Sequence, residues 1–399
     1  LMKAWKLSPL ALALFSINSF AVEPEGIALG SGVTFLPAVD LNVESNSNIY
    51  STENNKTSDI ITRLTPNFGL VGDFGKTTVN ANYRLQQGVY GDDKNDDYLD
   101  QKINAGVAYE INSRNTVAAD ASYNDAHDDR GSGTIEGSGA PVDPDEYNET
   151  TGAVSYLYGA DSAIGNLELS ADIYQKRYDN NKAAPFNTTD RDHDKVRYGA
   201  VLSLTSSPTN EVILEAKQID INYSNSTNIA KAREGYEQRL FVGMRWDITG
   251  KTTGEAKIGR SARFFDDSSK SSNTRLAWEA NLTWQPLTYS TVTIASAQSS
   301  NETNGAGDYI ANTYSSANWE HAFSTYYKAG ITASVSSDVY VADVAGRKDD
   351  VISYGINGTY SPKKWMDVTL SYSQADRDSN IVGLDYDKQI IALGLALAL

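Results

Sequence analysis

The residues from Ile391 to Leu399 alternate between large and small apolar side chains. Isoleucine or leucine stands at every second position from Ile391 to Leu399, and alanine or glycine stands between them. Such a run is too short to cross a bilayer as a helix but long enough to cross it as a tilted strand. Lipid leaves unpaired backbone groups unsatisfied, so a membrane strand must pair on both edges. The pattern therefore predicts the closing strand of a transmembrane β-barrel, with the preceding chain supplying the other strands.

The first residues have the pattern of a secretory signal peptide. Lys3 and Lys6 precede a short apolar run, and Ala21 ends a small-x-small site. We predict that residues 1–21 are a signal peptide cleaved near Ala21, that residues 22–34 are a short periplasmic tail, and that residues 35–399 form a single barrel domain. No later run approaches about twenty apolar residues, so the sequence predicts an exported protein without a transmembrane helix.

From about Leu36 onward, segments with a period of two alternate with polar connections. In the segment 236–248, for example, Leu240 and Met244 oppose Arg239 and Arg245. The connections are alternately short and long, and the long ones are acidic, as in bacterial outer-membrane barrels. The sequence predicts an all-β, antiparallel, up-and-down transmembrane barrel of about 18 strands, with 16 as the alternative, short periplasmic turns and long acidic extracellular loops. The predicted strands are 35–48, 60–73, 77–90, 98–110, 115–126, 150–160, 166–178, 193–205, 211–223, 236–248, 252–265, 273–285, 290–299, 308–321, 326–338, 350–360, 366–376 and 386–399.

A soluble β-sandwich is the main alternative fold. Its strands also alternate, and the mean hydropathy of −0.43 is typical of soluble proteins. However, the second face of these strands is rich in Asn, Ser, Arg, Glu and Gly, which suit a water-filled lumen better than a packed interior. The alternation between Glu211 and Tyr223 breaks near Gln218, which indicates either a β-bulge or a misplaced strand.

Short motifs along the mature chain resemble those of the putative beta-barrel porin 2 family. They are Leu36-Pro37 with Asn48-Ile49, Ile60 with Leu64-Thr65-Pro66, Asn82-Tyr83 with Tyr90, Tyr98 with Ala108-Tyr109, Asn115-Thr116-Val117 with Tyr123, Leu282 to Val292-Thr293, and Trp319-Glu320-His321. The resemblance covers nearly the whole mature chain. It implies an integral outer-membrane barrel of the kind often associated with capsule or exopolysaccharide export, and it carries no catalytic motif.

The resemblance, the predicted barrel size and the polar lumen together suggest two functions. The first is a conduit for export of capsular or exopolysaccharide, and the second is a general or cation-preferring diffusion porin. A structural or adhesive surface barrel is a third reading. The expected partners are outer-membrane lipid and lipopolysaccharide, the barrel-assembly machinery through the C-terminal strand, a polysaccharide and a periplasmic export complex. The formal net charge of −17 argues against a nucleic-acid partner.

The sequence offers little catalytic chemistry. It has no cysteine and three histidines. His193 lies between Asp192 and Asp194, but adjacent residues on a strand point to opposite faces, so a catalytic dyad there is less favoured than solvated loop charge. No phosphate-binding loop or metal-ligand spacing is present. We therefore expect no enzyme activity, no cofactor and no metal.

The polar members of each alternating strand should face the lumen. Arginine and lysine beside Asn, Gln and Tyr suit hydroxyl-rich or acidic glycans through ordinary and charge-assisted hydrogen bonds. The alternative interpretation is that opposite charges pair across the wall and stiffen it. The predicted pore-lining candidates are Arg63, Arg84, Lys102, Asp120, Glu168, Asp172, Arg197, Arg239, Arg245, Lys257, Arg275 and Glu279.

The longest connection, from His127 to Glu149, is the third of the long loops. Many porins fold their third loop inward as a constriction, where carboxylates would favour cations. The alternatives are a solvated loop outside the cell and a loop that binds divalent cations beside lipopolysaccharide. The predicted constriction candidates are Asp128, Asp129, Asp143, Asp145 and Glu146.

Aromatic residues near the strand ends should form an aromatic girdle at the periplasmic interface, where amphipathic rings sit at headgroup level. The predicted girdle residues are Tyr109, Trp246, Trp284, Trp319, Tyr360 and Trp365.

Overall fold

The computed structural model describes residues 25–140, 142–160, 163–225, 227–248 and 250–399, so the predicted signal peptide and its cleavage near Ala21 lie outside the described residues. The described chain forms one antiparallel sheet. Its strands are β1 (Ile27–Gly30), β2 (Val33–Asn46), β3 (Asp59–Asp73), β4 (Thr77–Tyr90), β5 (Tyr98–Asn112), β6 (Asn115–Asp128), β7 (Asp145–Tyr158), β8 (Gly165–Tyr178), β9 (His193–Ser207), β10 (Asn210–Tyr223), β11 (Gly235–Ile248), β12 (Thr252–Phe265), β13 (Asn273–Leu287), β14 (Ser290–Glu302), β15 (Tyr309–Ala322), β16 (Tyr327–Val341), β17 (Lys348–Lys363), β18 (Met366–Ser379) and β19 (Tyr386–Ala398).

Strands β2 to β19 close into an 18-strand barrel in which each strand pairs with its neighbours in the chain. The closing pair is β19 with β2, in which Leu393 faces Val43 and Leu397 faces Val39. This confirms the predicted fold class, the predicted number of barrel strands and the predicted role of the C-terminal segment. Strands of this length, tilted as barrel closure requires, cross a hydrocarbon core of about 30 Å and project beyond it.

The extra strand β1 lies within the segment predicted to be a periplasmic tail, and β2 begins at Val33. Strand β2 is longer than β19 at this end, so its first residues would have an unpaired edge. Strand β1 covers that edge by pairing Ile27 with Phe35, and the Gly26 amide donates to the Leu399 carbonyl at 2.9 Å. The structured part of the tail thus completes the ladder beside the closing strand.

The two faces of the wall differ as the alternation predicts. Large apolar side chains such as Val242, Ile258 and Leu276 are about half exposed on the outer face. The predicted irregularity near Gln218 is absent, because β9 and β10 stay in register from Glu211 to Tyr223. The inward residues of β10 include isoleucines, which pack under a loop and obscure the alternation in the sequence.

All long connections lie at one end of the barrel, which we call the loop end, and all short turns lie at the other. The loops are L1 (47–58), L2 (91–97), L3 (129–144), L4 (179–192), L5 (224–234), L6 (266–272), L7 (303–308), L8 (342–347) and L9 (380–385). L3 is shorter than predicted because β6 and β7 stay paired as far as Asp128 and Asp145. A short α-helix, α1 (Asn228–Lys231), lies in L5. No helix in the described part of the chain is long and apolar enough to cross a membrane.

Candidate functional site: the lumen and its loop end

The inner face of β8 to β13 carries paired charges, and we call it the charged wall. Lys257 on β12 lies 2.8 Å from a Glu215 oxygen on β10 and 2.7 Å from a Glu279 oxygen on β13. Further pairs on this wall are Asp172 with Arg197 at 2.6 Å, Glu237 with Arg239 at 2.5 Å, and Arg245 with Glu255 at 2.7 Å and with Glu211 at 3.2 Å. Pairing of this kind keeps each partly buried ion next to an opposite charge, which offsets its loss of hydration.

The opposite side of the lumen is formed by β16 to β19 and β2, and at mid-height it carries small, mostly neutral residues. We call it the small-residue wall. Its members alternate with exposed apolar residues of the outer face, such as Val335 and Leu370. They are Asn42, Thr332, Ser334, Ser353, Gly355, Ser371, Ser373, Ala392 and Gly394. Hydroxyl and amide groups on this wall face the lumen without the bulk of charged side chains.

The predicted pore-lining residues all lie at inward positions of their strands. Outside the charged wall, Arg63 forms an ion pair with Glu44 and donates from Nε to the Tyr98 hydroxyl at 2.8 Å. Arg84 donates to Gln86 at 2.8 Å. The remaining members are Lys102 on β5, Asp120 on β6, the buried Glu168 on β8, and Arg275 on β13, which donates to Asn273 at 3.0 Å. Passage of a solute along these side chains stays a prediction.

Two hairpins leave the wall at the loop end. Strand β6 stays paired with β7 as far as Asp128, but its pairing with β5 ends at Asp125. Strand β14 stays paired with β15 to Glu302, but its register with β13 ends at Ala297. Side-chain contacts give the direction of both bends. His127 lies 2.8 Å from Asp100 of β5 and packs against the ring of Tyr98, which faces the lumen. Glu302 contacts Lys195, an inward residue of the charged wall. Both hairpin ends therefore turn toward the lumen.

Arg130 anchors the base of L3 to L1 and L2. Its guanidinium lies 2.6 Å from Asp93, 2.5 Å from Asp96 and 4.5 Å from the centre of the Tyr50 ring, and it also donates to the Tyr50 hydroxyl. Although burial opposes it, hydrogen bonds from Tyr50 and Arg130 lower the pKa of Asp93. Burial and the hydrogen bond to Asp93 raise the pKa of Tyr50 above its usual range. Arg130 is 8% exposed, so it holds L3 through a shielded set of charged hydrogen bonds.

A small apolar cluster supports this anchor. Ile49 of L1 packs inside the barrel with Ile61 and Tyr90, and all three are buried. The glycine at 131 has a φ of +81°, and a Cβ there would collide with the backbone of Tyr50. L1 and L3 can therefore meet this closely only because residue 131 has no side chain.

The tip of L3 carries Glu136 away from the β6–β7 wall to the side of the lumen formed by β17 and β18. Its carboxylate accepts from Arg377 of β18 at 2.9 Å, from Arg347 of L8, and from the Asn304 amide of L7 at 2.8 Å. Strands β2 to β5 and β19 lie between the base of L3 and β18 around the wall. L3 therefore crosses the loop end of the lumen and connects three other elements at one carboxylate.

The predicted constriction residues occupy different surroundings. Asp128 and Asp145 face inward, where Arg191 of L4 lies 3.3 Å and 3.4 Å from them. Asp129 lies 3.3 Å from His127. Burial alone would raise the pKa of Asp129, but the contact with His127 lowers it. The carboxylates of Asp143 and Glu146 are exposed and form no ion pair with any residue that the structure describes. Glu136, which the sequence analysis did not select, is the L3 carboxylate at the far wall.

All the predicted girdle residues lie at the turn end. Four of them are between about one third and one half exposed on the outer face, namely Tyr109, Trp284, Trp319 and Tyr360. Trp365 is about half exposed in the turn between β17 and β18, and Trp246 is half-buried. Trp319 donates from its ring nitrogen to Ser290 at 2.9 Å, and Tyr360 stacks on Tyr327 with ring centres 5.0 Å apart. The ring belt at this end agrees with an interfacial position in a membrane, which stays a prediction for each residue.

Within the described chain, no group of three or more His, Asp or Glu residues is arranged to hold a metal ion. His193 is buried, and its Nδ1 lies 2.7 Å from the Arg191 carbonyl. The imidazole is therefore engaged by the backbone of L4. His321 contacts the rings of Trp319 and Phe323 near the turn end.

A closed barrel with an apolar outer face, a polar lumen and loops folded into one end defines a porin-like barrel of the outer membrane. The family comparison agrees with this class. The chain belongs to the putative beta-barrel porin 2 family, whose model matches residues 21–399.

Several solved barrels are similar to the chain. OccAB3 from Acinetobacter baumannii has 11% sequence identity and a TM-score of 0.48, with 92% of this chain and 99% of that chain covered. OccK3 (OpdO) from Pseudomonas aeruginosa has 11% identity and a TM-score of 0.47, with 92% and 96% covered. The FrpB iron transporter (F5-1 variant) from Neisseria meningitidis has 10% identity and a TM-score of 0.47, with 94% and 83% covered. A search of curated protein sequences finds no match.

The residues that the sequence analysis missed are those that join separate loops, namely Tyr50, Arg130, Glu136, Arg347 and Arg377. The sequence contains one usable signal. Glu136 is a lone charge between two glycine–serine segments, so it is a charged tip on a loop that can bend sharply. Its arginine partners are more than 200 positions away in the sequence and had no local pattern to mark them.

Proposed function

We propose that the protein is a gated conduit that carries capsular or exopolysaccharide across the outer membrane. The observation that carries this proposal is the path of L3 across the loop end. A conduit wide enough for a polymer needs a closure between transport events, because an open lumen of this size would leak small solutes. L3 supplies such a closure, since its far end is held by side-chain contacts to L7, L8 and β18. These side-chain contacts can part without breaking any strand pairing of the barrel wall.

The two walls of the lumen also suit a glycan. The small-residue wall offers hydroxyl and amide groups to sugar hydroxyls, and the charged wall opposite offers arginine and lysine donors. A chain that touches both walls would form many weak hydrogen bonds and no single strong one, so it could move along the lumen. A periplasmic export partner would meet the short turns and the β1–β2 hairpin.

The direct test is deletion of the gene in the native strain, followed by measurement of cell-surface polysaccharide. We expect the surface polysaccharide to be lost and the precursor to accumulate inside the cell. Expression of the wild-type chain should restore export. Unchanged export in the deletion strain would refute the proposal.

A diffusion porin, general or cation-preferring, is the second candidate. Membership of a porin family favours it. The exposed Asp143 carboxylate of L3, which forms no ion pair with any residue that the structure describes, would also favour cations at the loop end. This candidate predicts a steady ohmic conductance from the intact protein in planar bilayers. It also predicts a cation-selective reversal potential in a KCl gradient and slower solute uptake, without any polysaccharide defect, in the deletion strain.

A further inference from the structure

Arg347 and Arg377 hold the Glu136 carboxylate in the way that a protein holds a bound carboxylate ligand. One carboxylate oxygen accepts from Arg377, and the other accepts from Arg347. Proteins bind free carboxylates and phosphates in this way, with one guanidinium group on each of two oxygens. Glu136 reaches this position at the end of a flexible loop rather than from the wall that holds the arginines.

The two arginines differ in the partners that would remain if Glu136 were removed. Arg347 also lies 2.5 Å from Asp349, which is two residues further on in β17. The Arg347 guanidinium lies over the Tyr340 ring, 4.0 Å from its centre. Arg377 forms no other ion pair with the described residues, although its Nε donates to the Leu384 carbonyl at 2.6 Å. Its Nη2 is buried and has no hydrogen-bond partner in the described structure. Removal of Glu136 would therefore leave a cationic group with an unused donor.

The surroundings of Arg377 add to this positive charge. Lys388 lies on the neighbouring strand β19, also at an inward position. The ring of Tyr386 is 4.8 Å from the Arg377 guanidinium and 6.0 Å from the Lys388 ammonium. L3 thus brings an acidic side chain into a pocket whose cations come from L8, β18 and β19, beside the Asp349 carboxylate of β17 that already pairs with Arg347.

We infer that Arg347 and Arg377 form a binding site for the carboxylate of an acidic glycan, and that Glu136 occupies this site as an intramolecular competitor. This inference rests on the proposed function and deepens it by naming the cargo as a polymer that contains uronic acids. An arriving carboxylate replaces Glu136 on the two arginines, and the L3 tip then loses its far anchor. A neutral glycan lacks the group that makes this exchange favourable.

The test is a binding titration of purified protein in detergent with tetragalacturonate, with maltotetraose as the neutral probe and sodium phosphate as the small anion. Glu136→Gln removes the competing charge while keeping the side-chain shape, so tetragalacturonate should bind about tenfold more tightly than to wild type. Glu53→Gln makes the same change on an exposed carboxylate of L1 and should leave the affinity at the wild-type value. Arg377→Ala combined with Glu136→Gln should return the affinity to the wild-type value or below.

Three results would overturn the inference. They are no gain in tetragalacturonate affinity in Glu136→Gln, an equal gain for maltotetraose, and a gain for phosphate as large as that for tetragalacturonate. Heat-modifiable migration of each variant on gels shows whether the barrel has folded. The titration measures binding and not export, so it can fail while the deletion strain still loses surface polysaccharide. It can also succeed while export is unchanged, which would separate this site from the proposed function.

Discussion

The β6–β7 and β14–β15 hairpins leave the wall in the same way but are held differently. L3, between β6 and β7, is anchored at its base by Arg130 and at its tip by Glu136, and these contacts reach L1, L2, L7, L8 and β18. The β14–β15 hairpin is anchored by Glu302, which contacts Lys195, Tyr223 and Arg263 on the wall itself, and its loop L7 adds hydrogen bonds to L3 and L5.

The difference separates a movable element from a fixed one. The Glu302 contacts lie among wall strands, which cannot shift without disrupting the ladder. The contacts at the tip of L3 are made by side chains of L7, L8 and β18. These side chains can separate from Glu136 while every strand stays paired. We therefore expect L3 variants to change conductance and β14–β15 variants to change stability.

The largest expected effect comes from shortening L3. Replacing residues 131–139 with two glycines removes Glu136 but keeps Arg130, so the loop end should open while the base of L3 stays attached. Single-channel recording in planar bilayers should show a several-fold larger conductance than the wild-type protein. A wild-type conductance already equal to that of the variant would show that L3 does not obstruct the lumen.

The next effect concerns the β14–β15 anchor. Glu302→Gln keeps the shape and the hydrogen bond with Tyr223, but it leaves Arg263 and Lys195 without their charge partner. Loss of one partner from a buried ionic group costs roughly 3 kcal/mol of unfolding free energy, which urea unfolding in lipid vesicles can measure. Glu320→Gln on β15 is the matched control, because Glu320 is exposed, and it should change stability by less than about 0.5 kcal/mol.

A conductance increase in Glu302→Gln as large as that of the shortened L3 would remove the distinction between the two hairpins. A loss of stability in the shortened L3 as large as that of Glu302→Gln would do the same.

A smaller effect is expected at the base of L3. Arg130→Ala removes the guanidinium that joins Asp93, Asp96 and Tyr50, so L3 should become more mobile and more easily cut by protease. Arg130→Lys keeps the charge but lacks the planar fork that reaches several partners at once, so its cleavage rate should fall between those of Arg130→Ala and wild type. Equal cleavage rates for Arg130→Lys and Arg130→Ala would mean that the geometry, and not the charge, fixes the loop.

The wall could be predicted from the sequence because its signals are local. A period of two identifies each strand, and one side chain in two must face lipid, so residues such as Leu393 and Arg245 could be assigned to a face without any contact information. Strand ends were less certain. At Asp128 and Asp145 the ladder continues through polar residues beyond the expected membrane, where no change in hydrophobicity marks the end.

The loop contacts could not be predicted because they depend on where the wall places distant segments. Asp143 and Glu146 looked equivalent to Asp145 in the sequence, but only Asp145 faces Arg191 of L4. The site at Glu136 requires that L3 cross toward β18, which depends on barrel closure and on the bend of the β6–β7 hairpin. Composition alone carries neither fact.

The smallest expected effect is the response of the L3 base to acid. The pKa of Asp93 is lower in the folded protein than in the unfolded chain, because hydrogen bonds from Tyr50 and Arg130 outweigh the opposing effect of burial. A carboxyl group of this kind stabilises the folded state fully above its unfolded pKa of about 3.9, and the contribution is lost as the pH falls through the lower folded value. Protease cleavage of L3 should therefore stay constant from neutral pH down to about pH 5 and rise below about pH 4. Asp93→Asn should raise the cleavage rate at neutral pH and reduce the further rise in acid, whereas Glu53→Gln should follow wild type throughout. An acid response that is identical in Asp93→Asn and wild type would assign the effect to another group, of which Asp129 is the nearest candidate, since its contact with His127 also lowers its pKa against the effect of burial.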